Sequence, residues 1–153
     1  MPSRSKSARL STVLLAALIS GCAAQRSPHL LLSAASSTTV ADLAHHYPLA
    51  PEQTIQIERL AITDETSTHF VQVRPGGGEL PHVHLRHDLV VIVLAGAGTQ
   101  RIGKQAFALR AGDAATIPAG TLHYFVNDCD VPTAALVVFS PPYDGSDQVH
   151  RDP

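Results

Sequence analysis

The 153-residue chain has no tryptophan, one methionine and two cysteines, Cys22 and Cys129. So few thiols exclude a small fold stapled by several disulfides. No run of Lys or Arg lies beyond the first ten residues, and the formal net charge is −2, so the electrostatic footprint of a nucleic-acid-binding protein is missing. Nucleic acid is excluded as an expected partner. The longest apolar stretch near the amino terminus, LSTVLLAALIS, is shorter than a membrane-spanning helix needs. The length suffices for one domain with a real core and is too short for two ordinary ones.

The chain opens instead on targeting chemistry. Arg4, Lys6 and Arg9 precede LSTVLLAALIS, which together read as a secretory signal over residues 1–21. Ile19-Ser20-Gly21-Cys22 then resembles a bacterial lipobox, in which small residues precede a cysteine that is lipid-modified and becomes the new first residue. Ala23, rather than Asp, follows it, which that resemblance associates with the outer membrane. The expected location is therefore the bacterial envelope, facing the periplasm and touching the membrane only through the lipid on Cys22. Acylation would leave Cys129 as the remaining thiol, so stability must come from packing or a metal. Removing the signal leaves eight Lys and Arg against thirteen Asp and Glu, a charge of −5.

Residues 22–50 read as a tether. QRSPHLLLSAASSTT has no clear period, and VADLAHHYP fits a short helix capped by Thr38 or Thr39 that stops before Pro48. His45 and His46 are neighbours there and are expected on the surface.

From residue 51 to 145 short strands dominate. TIQIERLAIT alternates partly, HFVQVR strictly, and RPGGGELP breaks the chain. LVVIVLAG reads as a buried strand, GAGTQRIGKQAFALRAGD as two strands about Gly103-Lys104, and ATIPAGTLHYFVND and TAALVVFSPP as at least two more. Such even spacing predicts an all-β sandwich or small barrel. The segment 146–153 reads as a polar tail over the outside of the barrel.

Within this frame the histidines are unevenly placed. PHVHLRHDLVVIVLAG puts His82, His84 and His87 beside Asp88, and alternation sets His82 and His84 on one face of a strand. In GDAATIPAGTLHYFVN, Gly112-Asp113 makes a turn, and Pro118 and Gly120 make a second that swings His123 back toward the interior. His69 and His150 are expected at the surface or partly packed.

These two stretches resemble the two defining motifs of the cupins, small double-stranded β-helix (jelly-roll) barrels. Gly112, Pro118, Gly120, His123 and Asn127 satisfy every position of the second motif, and Gly76, His82, His84 and Gly96 satisfy the first except at its acidic position. Leu89 stands there by count from Gly96 and Asp88 by count from His84. Either Asp88 substitutes through a bulge, or His87 supplies a ligand, or three histidines suffice. The favoured set is His82, His84, Asp88 and His123. The resemblance implies a divalent transition metal (Mn, Fe, Co, Ni, Cu or Zn) held with open coordination positions, and a small-molecule ligand or substrate. It allows a homodimer. Two functions follow: a metal-dependent enzyme of oxygenase or Lewis-acid type on a small organic molecule, or a non-catalytic module holding a metal or small ligand. Tyr124, Arg86 and Gln100 are candidates to face the cavity.

Overall fold

The structure is a computed structural model that describes residues 37–152. The signal and Cys22 lie outside those residues. Helix α1 (Val40–His46) is followed by β1 (Ile55–Ile62), β2 (Ser67–Val73), β3 (His82–His84), β4 (Asp88–Ala95), β5 (Ala97–Ile102), β6 (Gln105–Arg110), β7 (Ala114–Ile117), β8 (His123–Val126), β9 (Thr133–Ser140) and β10 (Gln148–His150). Two five-stranded antiparallel sheets result, ordered β1-β2-β9-β4-β7 and β10-β3-β8-β5-β6. They form the double-stranded β-helix that the motifs imply.

Alternation decides what faces inward. On β2, His69, Val71 and Val73 point between the sheets, while Phe70 and Gln72 point outward. The strand read as wholly buried, β4, likewise alternates: Leu89, Val91 and Val93 face in, while Asp88 and Val90 are exposed. Outward Phe70, Leu60 and Ala134 would meet water but for α1 and its C-cap, where Leu43 and Tyr47 cover them in a second core. The helix forms because Thr39 and Asp42 make a capping box. Gln72 then donates to the Tyr47 carbonyl, and Arg74 to the carbonyls of Ala50 and Gln53. The segment expected as a tether up to residue 50 is thus docked on the barrel from α1 onward.

One further boundary differs from expectation. Strand β9 ends at Ser140 before Pro141-Pro142, but the chain returns, and β10 pairs antiparallel with β3, Gln148 opposite His84 and His150 opposite His82. Part of the expected tail, 148–150, is an edge strand of the barrel. A tail has no hydrophobic run to announce such pairing, and three residues suffice because the neighbour supplies the other half of the ladder.

Candidate metal centre

Strand β3 places His82 and His84, and its neighbour β8 places His123 directly opposite His82. The turn before β8 depends on Gly120, whose φ of +75° is a conformation that side chains with a Cβ rarely adopt. The three rings gather, with centroids 4.4 Å apart for His82–His123, 5.1 Å for His82–His84 and 5.6 Å for His84–His123. One nitrogen from each lies within 4.8 Å of the others.

The outer nitrogens of the rings are all engaged. Nδ1 of His82 lies 2.8 Å from the Leu80 carbonyl, Nδ1 of His123 2.8 Å from the Thr121 carbonyl, and Nδ1 of His84 3.3 Å from Oδ1 of Asp147. Carbonyls and carboxylates only accept, so each Nδ1 carries the proton and each Nε2 is left with a lone pair. Nε2 of His123 is buried with no partner at all. A buried acceptor without a partner is costly, and three neutral imidazoles with converging lone pairs are a donor set for a borderline divalent ion. The residues fit a transition metal. Burial lowers the His123 pKa to about 4, with His82 and His84 adding to the effect, and burial also lowers that of His84. His84 and His123 are therefore neutral at pH 7, as metal binding requires.

The acidic candidate does not join them. Asp88 begins β4 on its outer face, is exposed, and accepts from the Ala119 amide at 2.8 Å. The bulge that would have turned it inward is absent there; the register of β4 slips instead between Val93 and Ala95. Leu89 occupies the inward position, buried in the cavity wall. His87 is buried but turned away from the triad: its Nδ1 lies 2.7 Å from Oδ2 of Asp147 and its Nε2 3.2 Å from the Pro142 carbonyl. With both nitrogens engaged, it supports the site rather than facing it. Arg86 is exposed and binds Ser146, and Tyr124 lies under the Arg101 guanidinium on the outer face of β8. Of the three cavity candidates, Gln100 alone is there, 2% exposed.

Four residues at the site escaped sequence reasoning. Glu79 lines the cavity because GGGE runs alongside β8: Glu79 N donates to the Phe125 carbonyl, and Oε2 of Glu79 accepts from Phe125 N at 2.9 Å. Gly78 makes this approach possible, since a Cβ there would sit 2.6 Å from the Phe125 oxygen. Burial raises the Glu79 carboxyl above its ordinary pKa, against the opposing pull of His82 and the Phe125 amide. His69, expected nearer the surface, is buried; its Nε2 is 3.0 Å from Ser67 Oγ, and its pKa falls to about 4 through burial and then the Arg59 charge. The strict alternation of HFVQVR, which sets His69 with Val71 and Val73, was the available signal. Tyr143 stacks on Phe139 at 4.7 Å and sits 4.8 Å from the His84 ring. Asp147, the fourth, had no signal at all.

The triad opens onto a cavity of about 90 Å³ between the sheets. Beside the three histidines it is lined by the polar side chains of His69, Glu79, Gln100, Thr133 and Gln148, and its other walls are largely aliphatic or aromatic, including Val71, Val91, Ile117 and Val137. A largely apolar cavity with a few polar groups around three histidines is the form of a small-molecule site.

A double-stranded β-helix with inward histidines from paired strands defines a class of small barrels built around one central site. Residues 69–139 match the cupin domain family, and the chain belongs to the cupin superfamily. An uncharacterized protein of Aquifex aeolicus (strain VF5) is 36% identical over 95 residues, which cover 62% of this chain and 76% of that protein. Among solved structures, KdgF from Halomonas sp. superposes with a TM-score of 0.58 at 29% identity, covering 62% of this chain and 87% of its own. The protein TT1209 from Thermus thermophilus superposes at 0.61 and 27% identity, covering 69% and 100%.

Proposed function

We propose that the protein binds a divalent transition metal through His82, His84 and His123 and acts on a small organic molecule at that site. The observation that carries this reading is the set of three Nε2 lone pairs, one of them buried without a partner, in the wall of a largely apolar cavity. Bound there, the metal supplies Lewis acidity or redox chemistry according to its identity. Neutral imidazoles leave its charge uncompensated, because Leu89 stands where a carboxylate ligand would, so the site favours a ligand with an anionic oxygen head. The aliphatic walls favour a short apolar body behind that head and disfavour a polyhydroxylated one, whose hydroxyls would lose hydrogen bonds. Glu79 is the acid or base of the reading: Phe125 N holds Oε2, which leaves Oε1 to give or take a proton, and burial raises its pKa, which favours the protonated form. We place the chain in the bacterial envelope, attached through lipid on Cys22.

Elemental analysis of the full-length chain, purified without a metal-affinity tag, tests the metal. Near-stoichiometric metal that is lost in a His82→Ala, His84→Ala double variant is the expected result. Absence of metal, with none taken up on addition of Mn, Fe, Ni, Cu or Zn, overturns the reading. For the ligand, 3-methyl-2-oxobutanoate is expected to raise the Tm of the metal-loaded chain, and Ala135→Phe, which fills the cavity, to retain metal and lose that shift. Metal retention without binding of any small acid would leave a non-catalytic metal module.

A further inference from the structure

Asp147 lies 63 positions beyond His84, in the segment that returns to form β10, yet its carboxylate is buried against the metal-bearing strand. Oδ2 accepts from the Arg86 amide at 2.8 Å and from His87 Nδ1 at 2.7 Å; Oδ1 accepts from His84 Nδ1 at 3.3 Å. The returning segment is fastened at several points besides. Pro142 O lies 3.2 Å from the far nitrogen of His87, Tyr143 N donates to Ser67 Oγ, and Ser146 Oγ accepts from the Arg86 guanidinium. The other two triad histidines are oriented by carbonyls two residues before them in the chain; His84 has a partner that the tail must bring.

We propose that Asp147 is a positioning residue that fixes the Nδ1–H tautomer of His84 and so presents its Nε2 lone pair to the metal, with His87 and the Arg86 amide fixing the carboxylate in turn. The inference rests on the metal reading above and makes the carboxy-terminal segment part of the site. An amide in place of the carboxylate shows why. In Asp147→Asn the carbonyl oxygen takes the Oδ2 position, where two N–H groups point at it, and the NH₂ is left facing His84 Nδ1. That nitrogen must then accept, the proton moves to Nε2, and the lone pair is lost from the metal side. Loss of a supporting carboxylate of this kind costs about 10–100-fold in metal affinity.

The test is ¹⁵N NMR of the histidine rings in the metal-free full-length chain, with Zn²⁺ affinity measured by chelator competition. Wild type is expected to show His84 protonated at Nδ1. Asp147→Asn is expected to show the proton at Nε2 and Zn²⁺ binding about 10–100-fold weaker, and Ser146→Ala, which removes the neighbouring Arg86 contact, to change neither. A wild-type His84 already protonated at Nε2 overturns the proposal without any variant, as does an Asp147→Asn chain with unchanged tautomer or unchanged affinity. A residue needed only for packing would lower Tm and leave the ring proton where it was. Failure of wild type to take up metal is a separate result that overturns the metal reading, because the tautomer is read on the metal-free chain.

Discussion

At the scale of single residues, what a polar side chain does here follows from which of its atoms are already engaged. Asn127 fills a motif position and is fully buried, but all its capacity goes to structure: Nδ2 donates to the carbonyls of Val73 and Val131, and Oδ1 accepts from Cys129 N. His123, four residues earlier, has one nitrogen satisfied and one bare. The difference between a structural and a chemical residue is invisible to spacing and plain in the hydrogen bonds. His69 gives a prediction at this scale. Its pKa of about 4 when folded lies below the ordinary 6.5, so between those values the unfolded chain binds the extra proton. The stability it contributes is complete above pH 6.5 and is lost as pH falls toward 4, with a slope of at most about 1.4 kcal/mol per pH unit. His69→Gln is therefore expected to flatten the decline of Tm between pH 6.5 and 4. A decline as steep as that of wild type would show that His69 does not titrate as its burial implies.

At the scale of elements, the site depends on connections more than on strands. β3 is only three residues long and carries two of the three candidate ligands; β8 on one side and β10 on the other hold it in place. The entry to β3 is equally constrained, since the GGGE segment must lie against β8 for Glu79 to reach the cavity. Gly78→Ala puts a methyl into the Phe125 carbonyl, and backbone cannot step aside as a side-chain tip could. The expected cost is about 1–3 kcal/mol, read as a lower midpoint in urea, with metal uptake expected to match that of wild type. An unchanged midpoint would mean that the segment is looser than its hydrogen bonds to Phe125 and Asn127 indicate.

At the scale of the whole molecule, the barrel is closed on one outer face by α1 and completed on the other sheet by the returning segment, so the described chain from residue 37 onward works as one body. Among the described residues, no helix is long and apolar enough to cross a membrane. Attachment to the envelope therefore rests, in our proposal, on Cys22. Cys22→Ser is expected to move the protein from the membrane to the soluble fraction and to abolish labelling by palmitate; a wild-type chain found soluble and unlabelled would overturn the anchor.

Much of this was legible in the sequence. The second motif, GDAATIPAGTLHYFVN, determined both a pair of turns and an inward histidine, because glycine and proline act on the backbone where they stand. His-x-His determined a shared face for the same local reason, the two-residue repeat of a strand. The identity of the remaining groups at the site was not local. Whether Asp88 or Leu89 points inward turns on the register of β4 against its neighbours, which one residue of slip would have reversed. Glu79 enters because Gly78 lets its segment lie against β8, and Asp147 because the end of the chain folds back onto β3. These are contacts between segments far apart in sequence, and only the tertiary structure could decide them.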